Sequence, residues 1–237
     1  MPVNDFAIFR PESTAEDSVH TKDERKSERR EIFRKAQLYH LRSEAFQDIP
    51  AAGWRFDTAK RTSQLEMAQR FVQNWERFQA DGMGLLLFGD VGTGKSYAAG
   101  CIANALIEQG HSVRFICLND IVNHMQGCCG SEREDYTQSL LKPELLILDD
   151  LGAERDTSFG REQVFDVINK RTLSGKPMII TTNIPLHVMQ NAVDTQERRI
   201  YDRILAVCTP VRFNGENFRK TSAAENRKKA AALLGRA

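Results

Sequence analysis

Eight consecutive residues, Gly89-Asp90-Val91-Gly92-Thr93-Gly94-Lys95-Ser96, match the pattern GxxxxGK[ST] of a phosphate-binding loop. The glycines let the backbone bend so that successive N–H groups converge on phosphate oxygens, where a Cβ would stand in the way. Lys95 has the reach and charge to engage β- and γ-phosphates, and the Ser96 hydroxyl can ligate Mg²⁺. A helix beginning at the loop would aim its positive N-terminal end at the same phosphates. A second chemical group closes the run ELLILDD, where four aliphatics from Leu145 lead into Asp149 and Asp150. A core strand does not tolerate two carboxylates unless its end opens into a site. Asp149 is therefore expected in the Mg²⁺ shell, and Asp150 is expected to polarise an attacking water.

A third strand-like run, MIITTN, ends in a polar triplet at Asn183, which would lie between the two phosphate-binding strands and hydrogen-bond the γ-phosphate or the water. On its own, an asparagine at a strand end is only a turn former. Arg199 and Arg203 stand four apart in QERRIYDRIL, on one helix face. They read either as a solvated stripe or as groups reaching the nucleotide of a neighbouring subunit. Arg219, in NGENFRK after the last strand, could fold back onto its own nucleotide.

These residues need a scaffold that brings strand ends together. Short apolar runs at Leu85–Phe88, Val113–Leu118, Leu145–Leu148, Met178–Thr182 and Val211–Phe213 alternate with helical spacing at Ser96–Gln109, Asp120–Gln126, Phe159–Thr172 and Gln196–Val207. Strands that are apolar nearly throughout, separated by helix-length segments, predict a parallel five-stranded sheet between helices, an α/β nucleotide-binding architecture. Ahead of it, residues 1–20 read as a polar arm and residues 22–47 as a charged helix with an apolar stripe including Ile32, Phe33 and Tyr39. Ile49-Pro50 and Gly53 break that helix, and a further helix is expected from Gln64 to Gln79.

GDVGTGKS, LLILDDLGAE, IITTN, RRIYDRI and VRFNGENFR, in that order, resemble the AAA+ ATPases of the DnaC/IstB group, which are helicase loaders and transposition helpers. The likeness spans about residues 49–220 and includes IPAAGWRF, similar to the segment that precedes the group's ATPase core. It implies an AAA+ P-loop NTPase using ATP and Mg²⁺, with Lys95 and Ser96 as Walker A, Asp149 and Asp150 as Walker B, Asn183 as sensor 1, Arg203 as an arginine finger acting on a neighbour, and Arg219 as sensor 2. The cofactor-binding set is then Gly89 to Tyr97 with Arg219. Where many related ATPases carry Glu at the second Walker B position this chain has Asp150, which implies slow hydrolysis or help from a group such as Glu154.

The resemblance further implies self-association through the finger, single-stranded DNA as a partner, and a hexameric replicative DNA helicase gripped by residues 1–48; residues 221–237 are then a basic tail. An IstB-type transposition helper shares the same core and is the alternative. The short, charged, helical N-terminal part favours the loader. From other classes, a small-molecule kinase would need a substrate lid, and a nucleotide switch without turnover stays open because of Asp150.

Composition agrees with a globular chain: 237 residues, 41% hydrophobic and 27% charged, net +1. The balance conceals a net +3 over Lys22–Lys35 and a net +5 from Arg212 onward, suited either to an anionic partner or to a solvated helix face. No apolar run approaches a membrane span, and the N-terminus lacks the pattern of a secretory signal, so a cytoplasmic protein without membrane association is expected. Five cysteines without CxxC spacing, the adjacent Cys128 and Cys129 included, read as reduced thiols.

Overall fold

The computed structural model describes residues 15–47, 49–153 and 157–234, with side chains from residue 25 onward. Residues 1–40 and 41–237 form separate compact units. A stretch without Gly or Pro makes helix α1, Ala15–Phe46. Over residues 25–40 it is almost wholly exposed, with Glu31 and Lys35 paired i,i+4 at 2.7 Å. The expected apolar stripe is not buried there: Ile32, Phe33 and Tyr39 are 65–78% exposed. Ala45 and Phe46, at the end of α1, belong to the larger unit and are buried, with Phe46 beside Phe115.

After a 3₁₀ turn at Pro50–Gly53, the single helix expected over Gln64–Gln79 is two: α2, Ser63–Gln73, and α3, Trp75–Ala80. Asn74 separates them. Its side chain donates to the Arg70 carbonyl at 2.8 Å while its backbone leaves the helical region, the usual competition of an asparagine with helical bonding.

The sheet then builds as expected. Strands β1 (Gly84–Gly89), β2 (Val113–Cys117), β3 (Leu145–Leu151), β4 (Met178–Thr182) and β5 (Cys208–Phe213) are all parallel in the order β2-β3-β4-β1-β5. Helices α4 (Lys95–Glu108), α5 (Leu118–Gly127), α6 (Ser131–Leu141), α7 (Ser158–Leu173), α8 (Leu186–Gln190), α9 (Thr195–Val207) and α10 (Phe218–Leu233) complete the described chain. Alternation along each strand sends Leu86, Ile116, Leu146, Leu148 and Ile180 into one core with α5, α7 and α9. The other face, including Leu85, Leu87, Ile147 and Ile179, is also buried, and α4 lies against β1 to β4. Burying each such side chain contributes about 1.5–3 kcal/mol before entropy is counted.

Order and direction of the strands decide where chemistry can happen. β4 lies between β1 and β3, so the carboxyl ends of all three open side by side. In open parallel sheets ligands bind at such carboxyl ends. The basic tail expected over 221–237 is helical as far as Leu233, in α10, which starts at Phe218 and has no buried residue. Asn217 caps it by accepting from the Lys220 N–H at 3.1 Å. Among the described residues no helix is long and apolar enough to cross a membrane.

Candidate functional site

The loop between β1 and α4 carries the predicted phosphate-binding residues. Gly92 lies at φ +82°, and a Cβ there would collide with the Asn217 side chain. Gly89, at φ +138°, would drive a Cβ into the Phe213 carbonyl of the neighbouring β5. Only glycine suits these two positions. Thr93 closes the loop by donating to the Asp90 carbonyl at 2.8 Å, while Asp90 and Val91 form its exposed outer rim.

Lys95, 5% exposed, donates to the carbonyls of Gly89 and Asp90 at 2.8 and 2.7 Å and to Asn183 Oδ1 at 2.8 Å. The lysine and the asparagine expected to face one phosphate from two strands therefore meet. Burial pulls the Lys95 pKa down, and the neighbouring Asp150 carboxylate offsets part of that; the Arg219 guanidinium acts in the same direction as burial. Arg219, in the first turn of α10, thus sits within electrostatic reach of the loop.

Asp149 and Asp150 stand at the end of β3. Burial pushes the Asp149 pKa up, opposed by hydrogen bonds from Thr181 and Ser96 and by the charge of Lys95. Thr181 donates to Asp149 Oδ1 at 2.6 Å. Asp150 holds φ +59°, a left-handed conformation that a non-glycine residue adopts at a cost and that gathers at functional sites. Glu154, the expected substitute base, lies outside the described residues.

The donor set fits Mg²⁺ and a phosphate chain. A serine hydroxyl hydrogen-bonded to a half-buried carboxylate is a hard oxygen pair, and Mg²⁺ characteristically takes one or two carboxylates and completes its shell with water and phosphate. No group of three or more His, Cys, Asp or Glu gathers in metal-holding geometry among the described residues. Burial disfavours the charges of both Asp149 and Lys95; a cation at one and an anion at the other would relieve both.

Tyr97 is tied to the segment ahead of the core. Its hydroxyl donates to the Arg55 carbonyl at 3.0 Å and its ring lies 5.4 Å from that of Trp54. The Trp54 ring occupies the space a side chain on Gly100 would need, and Asn104 donates to the carbonyls of Ala51 and Trp54. The opposite flank of the loop is held by the β5–α10 turn: the Phe218 N–H donates to the Gly92 carbonyl at 2.9 Å, and Asn217 Nδ2 to the Val91 carbonyl at 2.9 Å.

Arg203 and Arg199 share a face of α9, which packs on α7. Arg203 is exposed, and its Nε donates to Asn169 Oδ1 at 2.8 Å; Arg199 lies 5.9 Å from the centre of the Phe165 ring. Sequence reasoning missed Thr181, Asn217 and Asn169. The consecutive threonines before Asn183 and the asparagine one residue before Phe218 were visible signals; Asn169, inside a mixed helix, gave none. Of the five free thiols, those of Cys101 and Cys208 are pushed up to about 12 by burial and are unreactive at neutral pH.

The family described as IstB-like ATP binding protein matches residues 20–226. The replicative helicase loader DnaI of Bacillus subtilis is 26% identical over 186 residues, 73% of this chain and 60% of that protein. The replicative helicase loader DnaC of Escherichia coli K12 is 25% identical over 177 residues, 73% and 70% of the two chains. An insertion-sequence ATP-binding protein of Sinorhizobium fredii is 32% identical over 149 residues, 62% and 50%. The chain thus spans about 60% of the length of its Bacillus relative. Among solved structures, the crystal structure of DnaI gives a TM-score of 0.60 at 22% identity, covering 75% of this chain and 98% of that one. AMPPCP-bound DnaA from Aquifex aeolicus gives 0.57 at 17%, covering 75% and 56%. These likenesses establish the AAA+ fold expected from the motifs.

Proposed function

The chain belongs to the IstB-like ATP binding protein family, and on that premise we propose that it loads a hexameric replicative DNA helicase onto single-stranded DNA, with ATP binding and hydrolysis as the switch between assembly and release. The observation that carries this reading is α1: Ile32, Phe33 and Tyr39 stand exposed on an otherwise charged helix ahead of a nucleotide site. An apolar stripe of that kind is covered by another protein rather than by phosphates. The relatives named as helicase loaders support the same reading.

The residues of the site divide the work of that cycle. Lys95 binds the β- and γ-phosphates, Asn183 orients the attacking water, and Asp150 accepts its proton. Ser96 and Asp149 would hold Mg²⁺, which supplies charge neutralisation on the phosphates when bound. Arg219 contacts the nucleotide of its own subunit, and Arg203 that of the next. Turnover is slow, because aspartate reaches less far than glutamate, and single-stranded DNA stimulates it by assembling protomers.

The insertion-sequence relative keeps a second reading in view, a transposition helper that assembles on DNA. The experiment that separates them offers the purified chain a replicative helicase and a transposase with ATP and single-stranded DNA. Stable capture and delivery of the helicase is expected, and substitution of Ile32 and Phe33 by serine should abolish it while leaving ATP hydrolysis intact. Capture of the transposase alone would replace the loader reading. Independently, Lys95→Ala should remove ATP binding measured by titration with a fluorescent nucleotide, since that charge is aimed at the phosphates from inside the loop. Undiminished binding in that variant would remove Lys95 from the site.

A further inference from the structure

The register of β3 against β4 breaks at the acidic pair. Leu148 faces Ile180 and Leu151 faces Thr182, so Asp149 and Asp150 together stand opposite the single residue Thr181. This is a β-bulge, a device that redirects side chains next to sites. A bulge forfeits a ladder bond, and here one side chain replaces it. The Thr181 hydroxyl accepts from the Asp150 N–H at 3.0 Å and donates to Asp149 Oδ1 at 2.6 Å. Thr181 is 0% exposed, so no water can take over either bond. Next along the strand, Thr182 donates to the Leu151 carbonyl at 2.8 Å and accepts from the Ile184 N–H at 3.0 Å, which closes the bulge from its far side.

From this geometry we infer that Thr181 is a positioning residue for the Mg²⁺–ATP site, an inference that rests on the ATPase reading above. One hydroxyl does two things that have to agree. By donating to Oδ1 it fixes the rotation of the Asp149 carboxylate toward Ser96. By accepting from the Asp150 N–H it holds that backbone at its unfavourable positive φ, and so sets the direction of the second carboxylate. Because the proton goes to Asp149, the oxygen lone pairs remain for the N–H, and neither bond can be exchanged for the other. Neither Val nor Ala at this position supplies either bond. Serine supplies both.

The test measures binding separately from turnover. A fluorescent ADP analogue is titrated into the full chain in EDTA and again across a range of Mg²⁺ concentrations, and ATP hydrolysis is measured in parallel. Thr181→Val should bind the analogue in EDTA as the wild type does, because Lys95 and the loop are untouched. Its half-saturating Mg²⁺ should rise, and kcat should fall, each by about 10- to 100-fold, the usual cost of removing a partner that orients a metal ligand. The KM for ATP at saturating Mg²⁺ should move less than kcat. Thr181→Ser should recover most of both losses. A hydroxyl that merely satisfied the bulge would lower the melting temperature and leave the Mg²⁺ titration alone. Should Thr181→Val not fold, Thr181→Cys keeps the volume with a weak donor and should show an intermediate rise in half-saturating Mg²⁺. Wild-type Mg²⁺ dependence in whichever of these two variants folds would overturn the inference. A wild-type chain that binds no nucleotide under any condition would remove the ATPase reading itself, and with it the role of Thr181.

Discussion

Replacing Arg171 by methionine should cost the fold about 3 kcal/mol or more, because several carbonyls lose charge-assisted hydrogen bonds worth about 1.5–3 kcal/mol each. Arg171 lies on α7 with no exposed surface. Its Nε and Nη groups donate to the carbonyls of Leu141, Pro143, Glu144 and Pro177 at 2.6 to 3.1 Å. Burial pulls its pKa down to about 10, so it keeps its charge at neutral pH, held by carbonyl dipoles. Methionine fills much of the space but removes the guanidinium donors from all four carbonyls; Leu141 keeps a bond from Lys176 and Pro177 one from the Leu146 N–H, so the deficit falls hardest on Pro143 and Glu144. For a domain of this size the melting temperature should fall by roughly 6 °C or more, read by differential scanning calorimetry. Lysine should recover little, because a single ammonium cannot reach carbonyls spread around a planar fork. Nucleotide affinity of the folded variant should stay near wild type: the carbonyls precede β3 and β4, at the end of the sheet opposite Asp149 and Asn183. A variant melting within about 2 °C of wild type would mean that the carbonyls find other partners; that shift corresponds to less than about 1 kcal/mol.

Arg171 also marks what the sequence could not disclose. In a helix reading SFGREQVFDVINKRTL it looks like one more surface cation, and only the packing of α6, β3 and β4 makes it a core residue. The strands and the phosphate loop were legible because their signals are local: apolar runs of strand length, and glycines at fixed offsets from a lysine. The same locality hid α6, SEREDYTQSLL, whose buried residues are only Thr137 and Leu140, too few for a periodic stripe. It hid α10 as well, which buries nothing and owes its start to an Asn217 cap that also grips the phosphate loop. The break at Asn74 had a residue-level cause that an amphipathic reading of Gln64–Gln79 overrode. At the site, the residues proposed to touch phosphate announce themselves by type and spacing. Those that hold them in place, Thr181 and Asn217, depend on which strand or loop lies alongside, and that is a property of topology.

Arg203→Ala should leave ATP binding by the isolated protomer nearly intact and lower hydrolysis on the order of 10³-fold, the effect of losing an arginine finger. The side chain faces solvent. It is exposed on α9, and Asn169 takes only its Nε, leaving the terminal Nη groups outside that bond. An exposed residue tethered through Nε is held in direction at little entropic cost, so its free end can meet an anion on an approaching surface. If the target belongs to a neighbour, the loss should appear only at protein concentrations where protomers assemble; below them, wild type and variant should be equally slow. Mixing separates the two halves of the site. Arg203→Ala retains an intact nucleotide pocket, and Lys95→Ala retains an intact finger, so a mixture of two inactive proteins should regain activity at those interfaces where the second protein's arginine meets the first protein's nucleotide. Arg219→Ala should not be rescued that way if, as proposed, its residue acts on the nucleotide of its own chain. If Arg203→Ala hydrolyses ATP normally when assembled on DNA, Arg203 is a surface cation and Arg199, one turn earlier on the same face, inherits the test.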